Sequence, residues 1–300
     1  MATSSQGYLE RPPILQLSQE LIDEIIDDTV TPMKKDLMSL SLVCRAFRPR
    51  CEKHIFTSIR FSNIAVGWGT TTSDRGKRIL KFLDILSRKP YIAGHVRELH
   101  LGVGEDQEWI MEPGFLKIMD FIRQSGLPLK KFELRLTGIT GARGQKIANP
   151  RRFAKSICAP FITPFLSCLY IRDLDDVPLT LVADCANLKT LDIVRTRFGG
   201  LDLVDNMNTP KSYPQINALH FNECTQIMNT LLQREVPGSR PILDFSKLKI
   251  IKTKLNSLSN MRSLKALLQV LSESLEDLHL KLDTRGPPCE CSMTLDMRTI

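Results

Sequence analysis

Five histidines and eight cysteines are the residues of this 300-residue chain with the widest chemical reach, and their spacing decides what they can do. His100, His220 and His279 occupy the same place in a recurring short Leu-rich frame, between its last two apolar positions. If these frames are neighbouring strands about 4.8 Å apart, His220 and His279 stand two strands and about 10 Å apart. A metal holds each nitrogen at about 2 Å, so they cannot share one ion. Cys289-x-Cys291 has no second pair and no nearby histidine, and both read as tail cysteines. Cys44 falls on an apolar helix face and reads as packing. The acidic pair Asp175-Asp176 precedes Val177-Pro178 and reads as a loop or helix start, while Asp27-Asp28 reads as a solvated helix end. No Gly-x-Ser-x-Gly elbow and no Gly-rich phosphate loop is present. The expectation is a protein that is not an enzyme, with no metal and no cofactor.

The elements around these residues come from an ordinary globular composition of 42% apolar, 25% charged and 6% aromatic residues. That excludes disorder and fibrous repeats and leaves room for one large domain or two small ones. No apolar run reaches the roughly 20 residues of a membrane helix, and Met1-Ala2-Thr3-Ser4-Ser5 lacks a signal-peptide pattern. A cytoplasmic or nuclear chain with reduced thiols and no membrane partner is expected. The net charge of +8 favours acidic partners. It is concentrated between Leu134 and Arg172, which holds Arg135, Arg143, Lys146, Arg151, Arg152, Lys155 and Arg172 without one carboxylate, and again from Lys247 to Lys265. Neither stretch interleaves aromatics as a single-strand nucleic-acid groove does, so both read as solvated surface.

Residues 1–13 form a polar leader ending at Pro12-Pro13. Ser18 then offers a capping hydroxyl to a helix in which Leu21, Ile22, Ile25 and Ile26 share one side. Thr31-Pro32 opens a second helix with an unusually broad apolar surface, and Pro49 opens a third, Arg50 to Phe56, followed by the strand-like Ser58-Ile59-Arg60-Phe61. Three helices in about 40 residues cannot bury that much Leu, Ile, Val and Phe among themselves, so a partner is expected. The strings Leu17 to Asp27, Ser41-Leu42-Val43-Cys44-Arg45-Ala46-Phe47 and His54-Ile55-Phe56 resemble an F-box, over about one sixth of the chain. Ser18 stands where that family usually has Pro, and Phe47 where it often has Trp. The resemblance implies docking on a Skp-type adaptor, and through it a cullin complex, by residues 14–60. Leu17, Leu21, Ile22, Ile25, Val43 and Phe47 are the adaptor-binding candidates.

Residues 61–76 are Gly/Thr-rich and read as a surface loop, followed by an end-covering helix from Lys77 to Leu86. From there to residue 300 the frame apolar-x-x-apolar-x-apolar returns seven times. Its copies begin at Val96, Leu129, Leu166, Leu188, Ile216, Leu248 and Leu275, with Thr253 replacing the last apolar residue of the sixth. Amphipathic stretches lie between some copies, at Phe115 to Ile122, Thr225 to Gln233 and Asn260 to Leu271. Each unit reads as strand plus helix, which predicts an α/β chain of parallel strands. The frame is similar to an irregular leucine-rich-repeat solenoid, although that family's asparagine or cysteine after the strand is met only at Cys224. A doubly wound sheet is the competing architecture. At the C-terminus, either Met293 to Ile300 supplies a last strand or the array is cut short.

The residues flanking the inward positions of each frame should form one outward face. It holds His100, Glu133, Arg135, Tyr170, Arg172, Asp192, His220, Asn222, Lys252, Lys254, His279 and Lys281. This face is the candidate target-binding surface, with an acidic or phosphorylated segment as the favoured ligand. The two resemblances together imply a substrate-recognition subunit of a ubiquitin ligase. The competing readings are a leucine-rich scaffold with no ubiquitin link and a basic nucleic-acid-binding module.

Overall fold

Side chains two apart on a strand point the same way, so a frame ending in two apolar residues two apart sends both to one side. The sequence frame therefore states where a core must form. The structure is a computed structural model. It describes residues 17–28, 34–62, 72–103, 107–136, 145–147, 149–199, 214–224, 231, 242–255, 258–271, 274–282 and 292–296. The chain divides into two compact units, Met1–Ser58 and Ile59–Ile300.

The first unit holds helices α1 (Gln19–Asp28), α2 (Lys34–Val43) and α3 (Arg48–Thr57). Ser18 Oγ accepts from the Leu21 amide at 3.4 Å at the start of α1, and Pro49 lies in the first turn of α3, where its missing N–H costs nothing. The core is Ile22 and Ile26 from α1, Leu37 from α2, then Phe47 and Cys51, with Leu40, Cys44, Ala46 and Ile55 packed around them. Thr31 and Pro32, expected to start the second helix, lie outside the described residues.

The second unit is mixed α/β, built on an open nine-stranded sheet. Its strands are β1 (Ser58–Phe61), β2 (Glu98–Val103), β3 (Lys131–Leu136), β4 (Cys168–Arg172), β5 (Thr190–Val194), β6 (Ala218–Asn222), β7 (Ile250–Leu255), β8 (Asp277–Leu282) and β9 (Ser292–Asp296). They lie side by side in chain order. From β2 to β8 every neighbour is parallel, and β9 returns antiparallel on β8. The seven frames are the seven parallel strands. Their inward residues stack in register, Leu99, Phe132, Leu169, Leu191, Leu219, Ile251 and Leu278 in one layer, all under 5% exposed. Fully burying each such side chain contributes about 1.5–3 kcal/mol.

The backbone repeats with the side chains. Ahead of each new strand, one carbonyl accepts two successive amides from the next turn: Arg97 from Lys130 and Lys131, Lys130 from Ser167 and Cys168, Ser167 from Lys189 and Thr190, Lys189 from Asn217 and Ala218, and Asn217 from Lys249 and Ile250. Past the strands, Asp173, Arg195 and Glu223 occupy matching places and all take positive φ, 61°, 45° and 53°. The residue after each turns inward. Thr196 Oγ1 donates to the Val194 and Ile171 carbonyls at 2.9 and 3.3 Å, and Cys224 Sγ to those of Asn222 and Ile193 at 2.8 and 3.3 Å. Each of these side chains thus ties its own turn to the preceding strand.

Helix α4 (Thr72–Arg88) begins earlier than the Lys77 start expected from the sequence, so residues 72–76 of the presumed surface loop are helical. Arg75 is 2% exposed, with its guanidinium 4.7 Å from the Trp109 ring centroid. That contact offsets part of the cost of burying the charge. Phe61, Phe82 and Phe115 complete this aromatic end of the core. Helix α5 (Pro113–Gln124) follows β2, and the short α6 (Pro150–Phe153) precedes a π-helical segment, Ala154–Ile162, before β4. A last helix, α7 (Leu258–Val270), joins β7 to β8. The stretch expected to be helical from Thr225 to Gln233 lies, apart from Leu231, outside the described residues, as do Cys289 and Cys291. Beyond β4 lie two short parallel ladders, Gln145–Lys146 with Leu174–Asp175 and Val177–Pro178 with Phe198–Gly199; Asp175 belongs to the first, and only Asp176, at φ 55°, forms the bend between them. A Cβ on Gly199 would come within 2.9 Å of the Asp176 Cα, so only glycine lets these backbones meet.

Candidate interaction surfaces

Both N-terminal helices carry two apolar stripes one residue apart, and the fold buries one of each. On α1, Ile22 and Ile26 are buried at 4% and 2% exposure, while Leu21 and Ile25 stand 48% and 46% exposed. Leu17, one turn before Leu21, is exposed as well. On α2, Leu37 is buried, and Met38 and Leu42, one turn apart, are exposed with Val43. Of the six adaptor candidates, Leu17, Leu21, Ile25 and Val43 are therefore open to a partner. Ile22 and Phe47 are not: both belong to the core of the unit, because a bundle this small needs its most central side chains for itself. Met38 and Leu42, which are not among those six, belong to the same exposed set. The spacing i, i+4 offset by one residue from the core stripe was the available signal.

Asp27 does more than end a helix in solvent. Its carboxylate accepts from Arg50 Nε and Nη2 and from His54 Nε2, tying α1 to α3, and the Arg50 hydrogen bonds hold its pKa well below the usual carboxylate range.

In the second unit the sheet register gathers the target candidates into rows. His100, Glu133, Tyr170, Asp192, His220, Lys252 and His279 face one another across successive strands. One residue pair further along lie Arg135 and Arg172, and at the far end Lys254 opposite Lys281. The row is not uniformly open. His100 is 7% exposed, with Nδ1 2.7 Å from Glu133 and Nε2 3.4 Å from Glu98, and the His100 bond lowers the Glu133 pKa. Asp192 is 5% exposed and accepts from Arg172 at 2.9 Å and His220 at 2.8 Å. These two side chains are covered by their long charged neighbours and cannot serve as outward contact points. Lys131 stands 4.9 Å from the Tyr170 ring, and burial raises the Tyr170 pKa. The exposed members of the set are Arg135, Lys252 and Lys281, with Tyr170, Arg172, His220, Lys254 and His279 half-buried.

Several cations of the basic runs are paired with carboxylates, while Arg143 lies outside the described residues. Lys146 pairs with Asp176 at 2.9 Å, Arg172 with Asp192, and Lys249 with Glu276 at 2.9 Å, while Arg151 and Arg152 sit on α6. Thiol chemistry is suppressed by the same burial that builds the core: it pushes the thiols of Cys158 and Cys185 far up and that of Cys224 to about 11. Among the described residues no three His, Cys, Asp or Glu side chains gather as a metal-binding group, and no helix is long and apolar enough to cross a membrane. Compared with protein-family models and with curated proteins, the chain matches none.

Proposed function

We propose that this chain is the substrate-recognition subunit of a cullin-type ubiquitin ligase, working in the cytoplasm or nucleus and doing no bond chemistry of its own. In this reading the N-terminal helical unit is an F-box that docks a Skp-type adaptor. The sheet unit is an irregular leucine-rich-repeat solenoid whose outward rows hold the target. The observation that supports it best is the doubled apolar stripe. A unit with its own closed core of Ile22, Ile26, Leu37, Phe47 and Cys51 still leaves Leu21, Ile25, Met38 and Leu42 about half exposed or more. Apolar surface in excess of a complete core supports a partner-binding role for this unit. The in-register stack of seven parallel strands, with its repeated turn and the inward Thr196 and Cys224, supports the solenoid half.

The test replaces Leu21 and Leu42 together by Ala and measures binding to a purified Skp-type adaptor. Each side chain buried in an interface contributes about 1.5–3 kcal/mol, so affinity should fall at least about a hundredfold while the helical signal persists. Ile22→Ala is the contrast: it should destabilise the unit by about 2–5 kcal/mol through a cavity. Adaptor affinity indifferent to Leu21→Ala/Leu42→Ala would overturn the F-box reading and return the chain to the class of leucine-rich scaffolds.

A further inference from the structure

Five large apolar side chains stand exposed among the described residues of the sheet unit, and three of them, Tyr91, Leu127 and Phe165, belong to the successive turns that lead into β2, β3 and β4. They are 56%, 45% and 47% exposed. The repeated backbone bonds hold these turns side by side. The Arg97 carbonyl accepts from Lys130 and Lys131, and the Lys130 carbonyl from Ser167 and Cys168, so each turn lies one strand spacing, about 4.8 Å, from the next. Side chains join them as well. Tyr91 and Gly94 are i and i+3 in the 3-10 turn Pro90–His95 and so share one face of it. A Cβ on Gly94 would meet Leu127 Cδ1 at 3.6 Å, which lays Leu127 against that face. Asn187 Nδ2, from the turn before β5, donates to the Pro164 carbonyl beside Phe165 at 2.9 Å. The three side chains thus form a ridge along the amino ends of the parallel strands.

Cations flank this ridge. Lys130 and Lys189 hold the equivalent place in the turns before β3 and β5, on either side of Ser167, and so stand two strands, about 10 Å, apart. Both are exposed, and among the described residues neither enters an ion pair. Of the carboxylates on the elements that enter these turns, Asp120 is paired with Arg123 at 2.9 Å and Asp184 is half-buried. A basic partner would be repelled here, and a purely acidic one would leave the apolar ridge in water. We infer that the amino ends of the strands dock an acidic protein segment bearing large apolar side chains, with Leu127 and Phe165 as its apolar contacts and Lys130 and Lys189 as its charged ones. A bilayer is the poorer match. Side chains half covered by their own turns lie flat, whereas insertion among lipid headgroups buries an apolar face about 5–10 Å deep. With so few side chains the contact belongs to the small, transient class of interfaces. It uses none of the outward-row or adaptor residues and does not rest on the ubiquitin-ligase reading.

Fluorescence anisotropy of a labelled, capped peptide of glutamate, leucine and phenylalanine, titrated with the full chain, tests it. The comparison probes are the same peptide with lysine for glutamate, the same peptide with serine for its apolar residues, and vesicles of phosphatidylcholine with phosphatidylserine. The first peptide should bind with a Kd of about 100 μM or tighter, and the two altered peptides at least about tenfold more weakly. Leu127→Ser/Phe165→Ser and Lys130→Glu/Lys189→Glu should each weaken the first peptide at least about tenfold. Thermal unfolding of each variant is matched to the parent, with Leu127→Ala/Phe165→Ala as the substitute should the serine pair not fold. Arg135→Glu/Lys252→Glu and Leu21→Ala/Leu42→Ala should leave the affinity unchanged, which separates this edge from the outward rows and the helical stripe. The inference is overturned if the first peptide does not bind at about 1 mM, if either altered peptide binds equally well, or if the edge variants bind as the parent does. It is overturned too if the control variants lose as much affinity as the edge variants, or if the vesicles alone bind and the edge variants abolish that binding, which would make the edge a membrane contact.

Discussion

At Asp27 one carboxylate carries the contact between α1 and α3, and its titration should be visible in the stability of the helical unit. Its folded pKa is depressed, first by the hydrogen bonds from Arg50. Its stabilising contribution is therefore complete above the unfolded value of about 3.9 and is lost as pH falls below that toward the folded pKa. With the side chain 37% exposed, solvent screening limits the contribution to about 1 kcal/mol or less. The unfolding midpoint of the parent should drop as the pH falls below about 4. Asp27→Asn should already be less stable at neutral pH and flatter across that window, as circular dichroism against temperature would show. A second outcome at this scale concerns the thiols. Burial holds Cys158, Cys185 and Cys224 protonated, so a thiol reagent at pH 7 to 8 should leave them unlabelled in the native chain and label all three in denaturant. Labelling of Cys224 at the rate of a free thiol would contradict its place beneath the turn.

Among the elements, the turn after each strand is the unit of repetition, and its inward side chain binds one repeat to the one before. Thr196→Val keeps the volume but removes a hydroxyl that donates to the Val194 and Ile171 carbonyls. Val194 keeps the Asp173 amide as a donor, so losing the hydroxyl should cost about 0.5–1.5 kcal/mol in denaturant unfolding. Cys224→Ala should cost less, since a thiol is the weaker donor. Equal stability of Thr196→Val and parent would mean that the turns are held by backbone alone. A repeat pattern of asparagine or cysteine after the strand does not single out Thr196, although any short donor at the third place beyond the last inward residue can reach the same carbonyl. The helix α4 was misjudged at its start for a related reason: Ser73, Asp74 and Gly76 resemble loop residues until Arg75 is seen buried against Trp109.

For the molecule as a whole, the outward rows of the sheet combine two kinds of charge that must be tested differently. Arg135 and Lys252 are exposed on the rows, so Arg135→Glu/Lys252→Glu should change stability by no more than about 0.5 kcal/mol. If the rows hold an acidic target, that double reversal should abolish target recovery with adaptor binding intact. Arg172→Glu is a structural change instead. It places a second carboxylate beside the buried Asp192 and should cost about 3–5 kcal/mol whether or not a target exists. Comparing the two variants in one co-purification separates recognition from folding.

That the strands lie side by side in chain order, and not doubly wound, was decided by the tertiary structure. The places of the strands along the chain and the identity of their inward residues were legible in the sequence, because a two-residue period has to place Leu99 and Leu101, or Leu191 and Ile193, on one side whatever surrounds them. The apolar excess of the N-terminal helices was legible for the same reason. Which residues supply that excess was decided only by the tertiary structure. Ile22 and Leu21 are adjacent and equally apolar, and only the packing of α1 with Phe47 and Cys51 makes the first a core residue and leaves the second exposed. The sheet face was settled in the same way. Alternation predicts that His100 and Asp192 point away from the Leu layers, but it is silent on whether Glu133, Arg172 and His220 then close over them. That depends on the neighbours across the strands, which local periodicity does not specify and which only the register of the assembled sheet brings within hydrogen-bonding reach.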